Sequence, residues 1–168
     1  MSINLMIVID AEKAYTNKPS GTSPSNPGPC NHSWAFMMTN VANAVSGNGT
    51  ADLTMRAPVG ETIRISSASM SNQLDYVAMV YDFKHWKGDH VLDVAGMKNR
   101  TITRLAAIPS PDQANHQPPN VTFANSDFYV AQIDVNKPGT ESFYVAFVVY
   151  GPPSGDSRPV LGYYQWDP

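Results

Sequence analysis

The sequence predicts an all-β fold: an antiparallel β-sandwich of jelly-roll or Greek-key type with about nine strands. Three observations point there. Runs of β-branched and aromatic residues alternate apolar and polar with period two. Turn residues separate those runs roughly every 8–15 residues, a spacing that suits small β domains. No long segment carries an apolar stripe of helical period. Composition agrees. A chain of 168 residues suits a single domain over 1–168. Charged residues are only 15% of it, 14 prolines disfavour long surface helices, and eight Tyr, six Phe and three Trp supply bulk for a core.

Taken in order, residues 3–10 (INLMIVID) read as a first strand, continuous enough in apolar character to be buried on both faces. Residues 16–30 hold four prolines and two glycines and read as a long loop. Residues 34–39 form the next strand, and Ser46-Gly47-Asn48-Gly49 a turn. Residues 51–56 and 62–68 alternate as half-buried strands. Leu74 to Phe83 is a long aromatic-rich strand, and residues 84–90 (KHWKGDH) read as a loop. Val91 to Met97 suits a short edge strand and residues 101–105 another strand. Residues 109–120 form a second loop rich in Pro and Asn. Strands at 128–133, 142–150 and 160–166 complete the chain, with a turn at 151–156.

The charge balance excludes whole classes of partner. Net charge is −3 and the 11 basic residues are scattered, so nothing offers the basic face that nucleic acid requires. The apolar run at 3–9 is far shorter than the ~20 residues of a membrane span and runs straight into Asp10 and Glu12. It has no basic flank of the kind a secretory signal carries, so a cytoplasmic protein is expected, with release by a signal-independent route as the alternative. Cys30 is the single cysteine, which allows no intramolecular disulfide and fits a reducing compartment. The alternative for Cys30 is a bond between chains.

Catalytic signatures are missing: no nucleophile elbow, phosphate loop, dinucleotide fingerprint or zinc-protease helix motif occurs in the sequence. Binding is therefore expected rather than turnover. Asp10, Asp75, Asp82, Asp89, Asp93, Asp127 and Asp167 lie near strand ends and loops, where Asp and Asn oxygens can hold Ca²⁺. The same residues also cap turns through main-chain N–H groups. His85 and His90 share a loop with Asp89, a combination that suits either a transition metal or a solvated surface. Trp86 stands among Lys84, His85, Lys87 and Asp89, and an aromatic ring in polar surroundings is either a sugar-stacking platform or a loop anchor. His32, before Trp34, is placed to pin the Pro-rich loop. If the loops carrying Asp10, Asn31, His32 and Asp75 share one end of the fold, they form a polar pocket beside Tyr76. The eight methionines fall mostly at alternating strand positions and read as core.

Several segments also occur in a familiar order. They are residues 3–10 (INLMIVID), the Pro-rich loop leading into Asn31-His32-Ser33-Trp34, residues 49–53 (GTADL) and 59–64 (VGETIR). Asp75-Tyr76, residues 139–144 (GTESFY) and the ending 161–168 (LGYYQWDP) follow. In this order, almost end to end, the chain resembles the bacterial PixA/AidA inclusion-body protein family. The resemblance implies a non-enzymatic protein under quorum-sensing or stationary-phase control, of a family in which some members accumulate as intracellular crystalline inclusions. It carries no binding residues across. Some such proteins are Met-rich, and eight methionines make this chain only moderately so. Low charge and surplus aromatics favour self-association, with a symmetric dimer the commonest form. The expected function is thus a self-associating inclusion-body-type protein connected with host interaction. The alternative is a carbohydrate-binding module, Ca²⁺-dependent if the Asp and Asn loops supply the site.

Overall fold

The computed structural model describes residues 2–17, 20–109 and 120–167. Its elements in chain order are β1 (Ser2–Ile9), α1 (Ala11–Asn17), β2 (Gly28–Pro29), a 3₁₀ turn (His32–Trp34), β3 (Ala35–Thr39), β4 (Ala44–Ser46) and β5 (Thr54–Met55). There follow β6 (Thr62–Ser69), β7 (Val77–Gly88), β8 (Lys98–Pro109), β9 (Val121–Asp134), β10 (Glu141–Tyr150) and β11 (Val160–Trp166). One sheet has the order β3-β1-β6-β9-β8, a second β2-β11-β10-β7, and β4 pairs with β5.

The mostly β expectation is met, but the sheets are mixed rather than purely antiparallel. β1 runs parallel to β6 from Ser2↔Thr62 to Ile9↔Ser69, and β2 runs parallel to β11. Periodicity reports which residues face inward and is silent on strand order, so the alternation could not reveal this. β1 is buried on one face only. Ile3, Leu5, Ile7 and Ile9 are buried, Asn4 is exposed and Met6 and Val8 are half-buried. Met6 and Val8 suit that outer face because neighbouring side chains cover them, the Met6 sulfur taking the Ser66 hydroxyl at 3.1 Å.

Inward rows from both sheets meet in one cluster: Ile7, Ile65 and Ile133 from the first, Phe83, Phe147 and Trp166 from the second. Phe147 stacks on Tyr164 at 5.4 Å and meets Trp166 edge-on at 5.7 Å. Burying a large aromatic contributes about 1.5–3 kcal/mol, so these rings are major terms in the fold.

Four local readings are corrected. The chain after β1 turns into α1, capped where the Lys13 N–H donates to Asp10 Oδ1 at 3.2 Å and anchored by buried Ala11 and Ala14. Seven residues are too few to show a helical period. The alternating run at 51–56 pairs only over Thr54–Met55. The segment 91–97 is a turn with one bridge, Leu92↔Val135, rather than an edge strand. The 84–90 segment is mostly the end of β7, which pairs with β10 as far as Gly88↔Glu141. Most of the loop expected at 109–120 lies outside the described residues.

β8 and β9 form a ribbon of another character. They pair over twelve residues, from Lys98↔Gln132 to Pro109↔Val121, while β9 pairs with β6 only from Ala131 to Asp134. Beyond that base the ribbon is two strands wide. Leu105, Ala107, Phe123 and Val121 lie on one of its faces by register, with Phe123 65% and Leu105 67% exposed.

Candidate functional site

Asp10, Asn31, His32, Asp75 and Tyr76 leave the five-stranded sheet from the same end. Ile9 is in register with both Ala35 and Ser69, so the segments after β1, before β3 and after β6 emerge together. Their hydrogen bonds serve local structure. The Asp10 carboxylate caps α1 and pairs with Lys13 at 3.2 Å. Asn31 Oδ1 accepts from the Ser33 N–H and hydroxyl, both at 2.9 Å. The Asp75 carbonyl accepts from Arg158 at 3.0 Å, and the Tyr76 carbonyl accepts from the Ser69 and Ser71 hydroxyls.

His32 does pin the exit of the Pro-rich loop. Its Nδ1 lies 2.6 Å from Asp52 Oδ1 and its Nε2 lies 3.3 Å from Asp167 Oδ1. Burial alone would lower its pKa. The hydrogen bonds and charges of Asp52 and Asp167 together outweigh that and hold it above the ordinary histidine value.

Trp86 occupies the far end of β7 from Tyr76. Ser142 pairs with Lys87 and Phe143 with His85, so Trp86 is the extra residue of a β-bulge. Trp86 is 47% exposed, and its ring centroid lies 5.6 Å from that of Tyr144.

The same bulge borders a convergence of titratable groups. Glu141 begins the inward row of β10 that continues through Phe143, Val145, Phe147 and Val149, and its side chain is only 3% exposed. His85, paired with Phe143, faces the same way, and its Nδ1 lies 2.8 Å from Glu141 Oε1. The Leu92 N–H donates to Glu141 Oε2 at 2.7 Å. The His90 ring stacks on His85 with centroids 3.5 Å apart. Donor atoms of His85, His90 and Glu141 lie within 4.8 Å of one another, a metal-ligand grouping among the described residues.

The backbone is shaped for this approach. Gly88 has φ +103°, and a Cβ there would run into the Thr140 carbonyl, so only glycine lets β7 and β10 close together. Asp89 then bridges back, its N–H donating to the Thr140 carbonyl and its Oδ2 accepting from the Thr140 N–H, both at 2.9 Å. That engagement explains why Asp89, the sequence neighbour of both histidines, serves as a loop clamp while Glu141 supplies the carboxylate. Glu141 also lines a mainly apolar cavity of about 460 Å³ between the sheets, with Leu5, Ile65, Phe83, Leu92 and Phe143.

The sequence reading found both histidines and missed Glu141, which lies 56 residues from His85 along the chain. Only the β7–β10 register brings them together. A usable signal was present in Glu141 heading an otherwise aromatic and β-branched strand, where a carboxylate facing inward needs partners.

Comparison with known proteins gives several structural neighbours and one family. The fold is similar to a crystal structure of the PixA inclusion body protein from Burkholderia cenocepacia J2315. The TM-score is 0.76 at 19% identity, over 99% of this chain and 92% of that one. No curated protein matches the chain. The family described as PixA, inclusion body protein, matches residues 1–168. The chain therefore belongs to the PixA inclusion body protein family.

Proposed function

We propose that this protein is a non-enzymatic, self-associating inclusion-body-type protein, and that copies meet through the β8–β9 ribbon. The ribbon carries the reading. A two-stranded hairpin is marginal in water on its own, yet this one projects beyond its single pairing with β6 and sets Leu105, Phe123 and Val121 on one face. β8 is also a long edge strand, with main-chain groups available for further pairing. A second copy supplies both an apolar face and a strand edge, and an isologous dimer is the simplest closed form. Dense packing into inclusions is what the family description leads one to expect of such a surface.

Sedimentation velocity tests this. The wild type should sediment as a dimer or larger species, and the Leu105→Asp/Phe123→Asp pair as a folded monomer. A monomeric wild type at about 100 μM, or an unchanged assembly in the variant, would overturn the proposal.

A carbohydrate-binding reading rests on Trp86, half-exposed beside Tyr144. A glycan array probed with Ca²⁺ and again with EDTA decides it. Binding lost in Trp86→Ala supports ring stacking, and silence of the wild type in both buffers removes the reading.

A further inference from the structure

We propose that His85, His90 and Glu141 form a binding site for a divalent transition-metal ion, with Zn²⁺ the reference ion, at the rim of the inter-sheet cavity. The donor set selects the ion class. Two imidazoles and one carboxylate match zinc-type cations, whereas Ca²⁺ and Mg²⁺ take oxygen ligands. Three protein donors leave a fourth position open to water or another ligand.

The carboxylate is prepared for a cation. The Glu141 side chain is almost fully buried, and among the described residues its two oxygens meet the Leu92 N–H and the His85 ring. A buried carboxylate in such a setting gains strongly from a cation. The Leu92 N–H fixes its orientation, as outer partners do in metal centres. Its Oε1 already faces the His85 Nδ1, so an ion would take the place of a hydrogen bond that exists.

His90 completes the set from a constrained backbone. Its φ is +52°, uncommon for a residue other than glycine, and this left-handed turn lays its ring over His85. The His85 and His90 rings are stacked 3.5 Å apart with their planes at 21°, and an imidazole nitrogen binds a metal in the plane of its ring, so the two cannot face one ion as stacked. Closure therefore needs a rotation of the exposed His90 ring, and binding must break the imidazole stack. Asp89 stays out because its carboxylate holds the Thr140 N–H.

The test is titration of the full chain with ZnCl₂ by calorimetry, and with CoCl₂ by visible absorption. The wild type should bind one ion per chain. Bound Co²⁺ should show the intense d–d bands of low coordination, and the His85 and His90 ring resonances should shift on Zn²⁺ addition. His90→Ala, at an exposed position, and Glu141→Gln, which keeps an acceptor for Leu92, should each weaken binding about tenfold or more. His32→Ala removes a remote imidazole and should leave binding unchanged. Wild type that fails to bind Zn²⁺ more tightly than about 100 μM would overturn the proposal. So would His90→Ala binding like wild type, or Ca²⁺ displacing Zn²⁺ at equal concentration. If Glu141→Gln does not fold, His90→Ala alone decides.

Discussion

His32 stands between two carboxylates, whereas His85 and His90 share one. At the first cluster both ring nitrogens have an acidic partner, Asp52 at 2.6 Å and Asp167 at 3.3 Å, and all three side chains are 40–63% exposed. At the second, a carboxylate only 3% exposed faces His85 and holds the Leu92 N–H. The same residue types give different devices because the ratio and the burial differ. Excess carboxylate around one exposed imidazole makes a tie between distant chain segments. Excess imidazole around one buried carboxylate makes a donor set that a cation can complete.

The largest expected effect tests what lies beneath the first cluster. Trp166 is 2% exposed, packs on Phe147, donates its indole N–H to the Ala51 carbonyl at 3.2 Å and precedes Asp167. Trp166→Ala should cost about 3–5 kcal/mol in urea unfolding. A cost near that of His32→Ala would mean that the polar tie, rather than the ring, holds this seam.

Next in size is the buried carboxylate. Glu141→Ala removes the acceptor of the Leu92 N–H and the partner of His85, leaving a part-buried donor without its acceptor at about 1–3 kcal/mol. Glu141→Gln should cost less, because an amide oxygen still accepts from Leu92. Equal losses in the two variants would show that charge, not the hydrogen bond, carries the stabilisation.

A third tie contains no histidine and serves as the pH-independent control. Arg158 donates to the carbonyls of Leu74 at 2.6 Å, Asp75 at 3.0 Å and Gly151 at 3.2 Å. Arg158→Ala should cost about 1–2 kcal/mol by thermal unfolding. The loss should be the same at pH 6 and pH 9, since guanidinium stays charged throughout.

The sequence disclosed these regions unequally. Three strands were legible: β6 lies where its alternation puts it, because side-chain period reports burial directly, while β10, buried on both faces from Val145 to Val149, and β11 lie close to where aromatic and β-branched density between turns puts them. The end of β7 was not legible as strand. Its bulge at Trp86 and its edge position leave Lys84 to Gly88 polar and out of phase, which reads as loop. The parallel pairing of β1 with β6 left no trace in either segment, since pairing partners are chosen by topology. His32 as a loop pin was readable from its place beside Trp34. Its partners Asp52 and Asp167 were not, nor was Glu141, because each is brought in by contacts distant in sequence.

The smallest effect is the one whose sign is most informative. The folded-state pKa of His32 is raised by Asp52 and Asp167 against the opposing effect of burial. A raised pKa means that the folded protein binds this proton more tightly than the unfolded chain does. The resulting stability is fully present below the unfolded histidine value of about 6.5 and is lost as pH rises through the higher folded-state pKa. With all three groups solvent-accessible, screening keeps the contribution under about 1 kcal/mol, and less at high salt. His32→Gln should therefore lower Tm slightly at pH 6 and close to not at all at pH 9, in a paired calorimetric scan. An equal loss at both pH values would mean that His32 acts through neutral hydrogen bonds alone. The excess of carboxylate would then have no electrostatic role, and the contrast with the Glu141 cluster would reduce to burial.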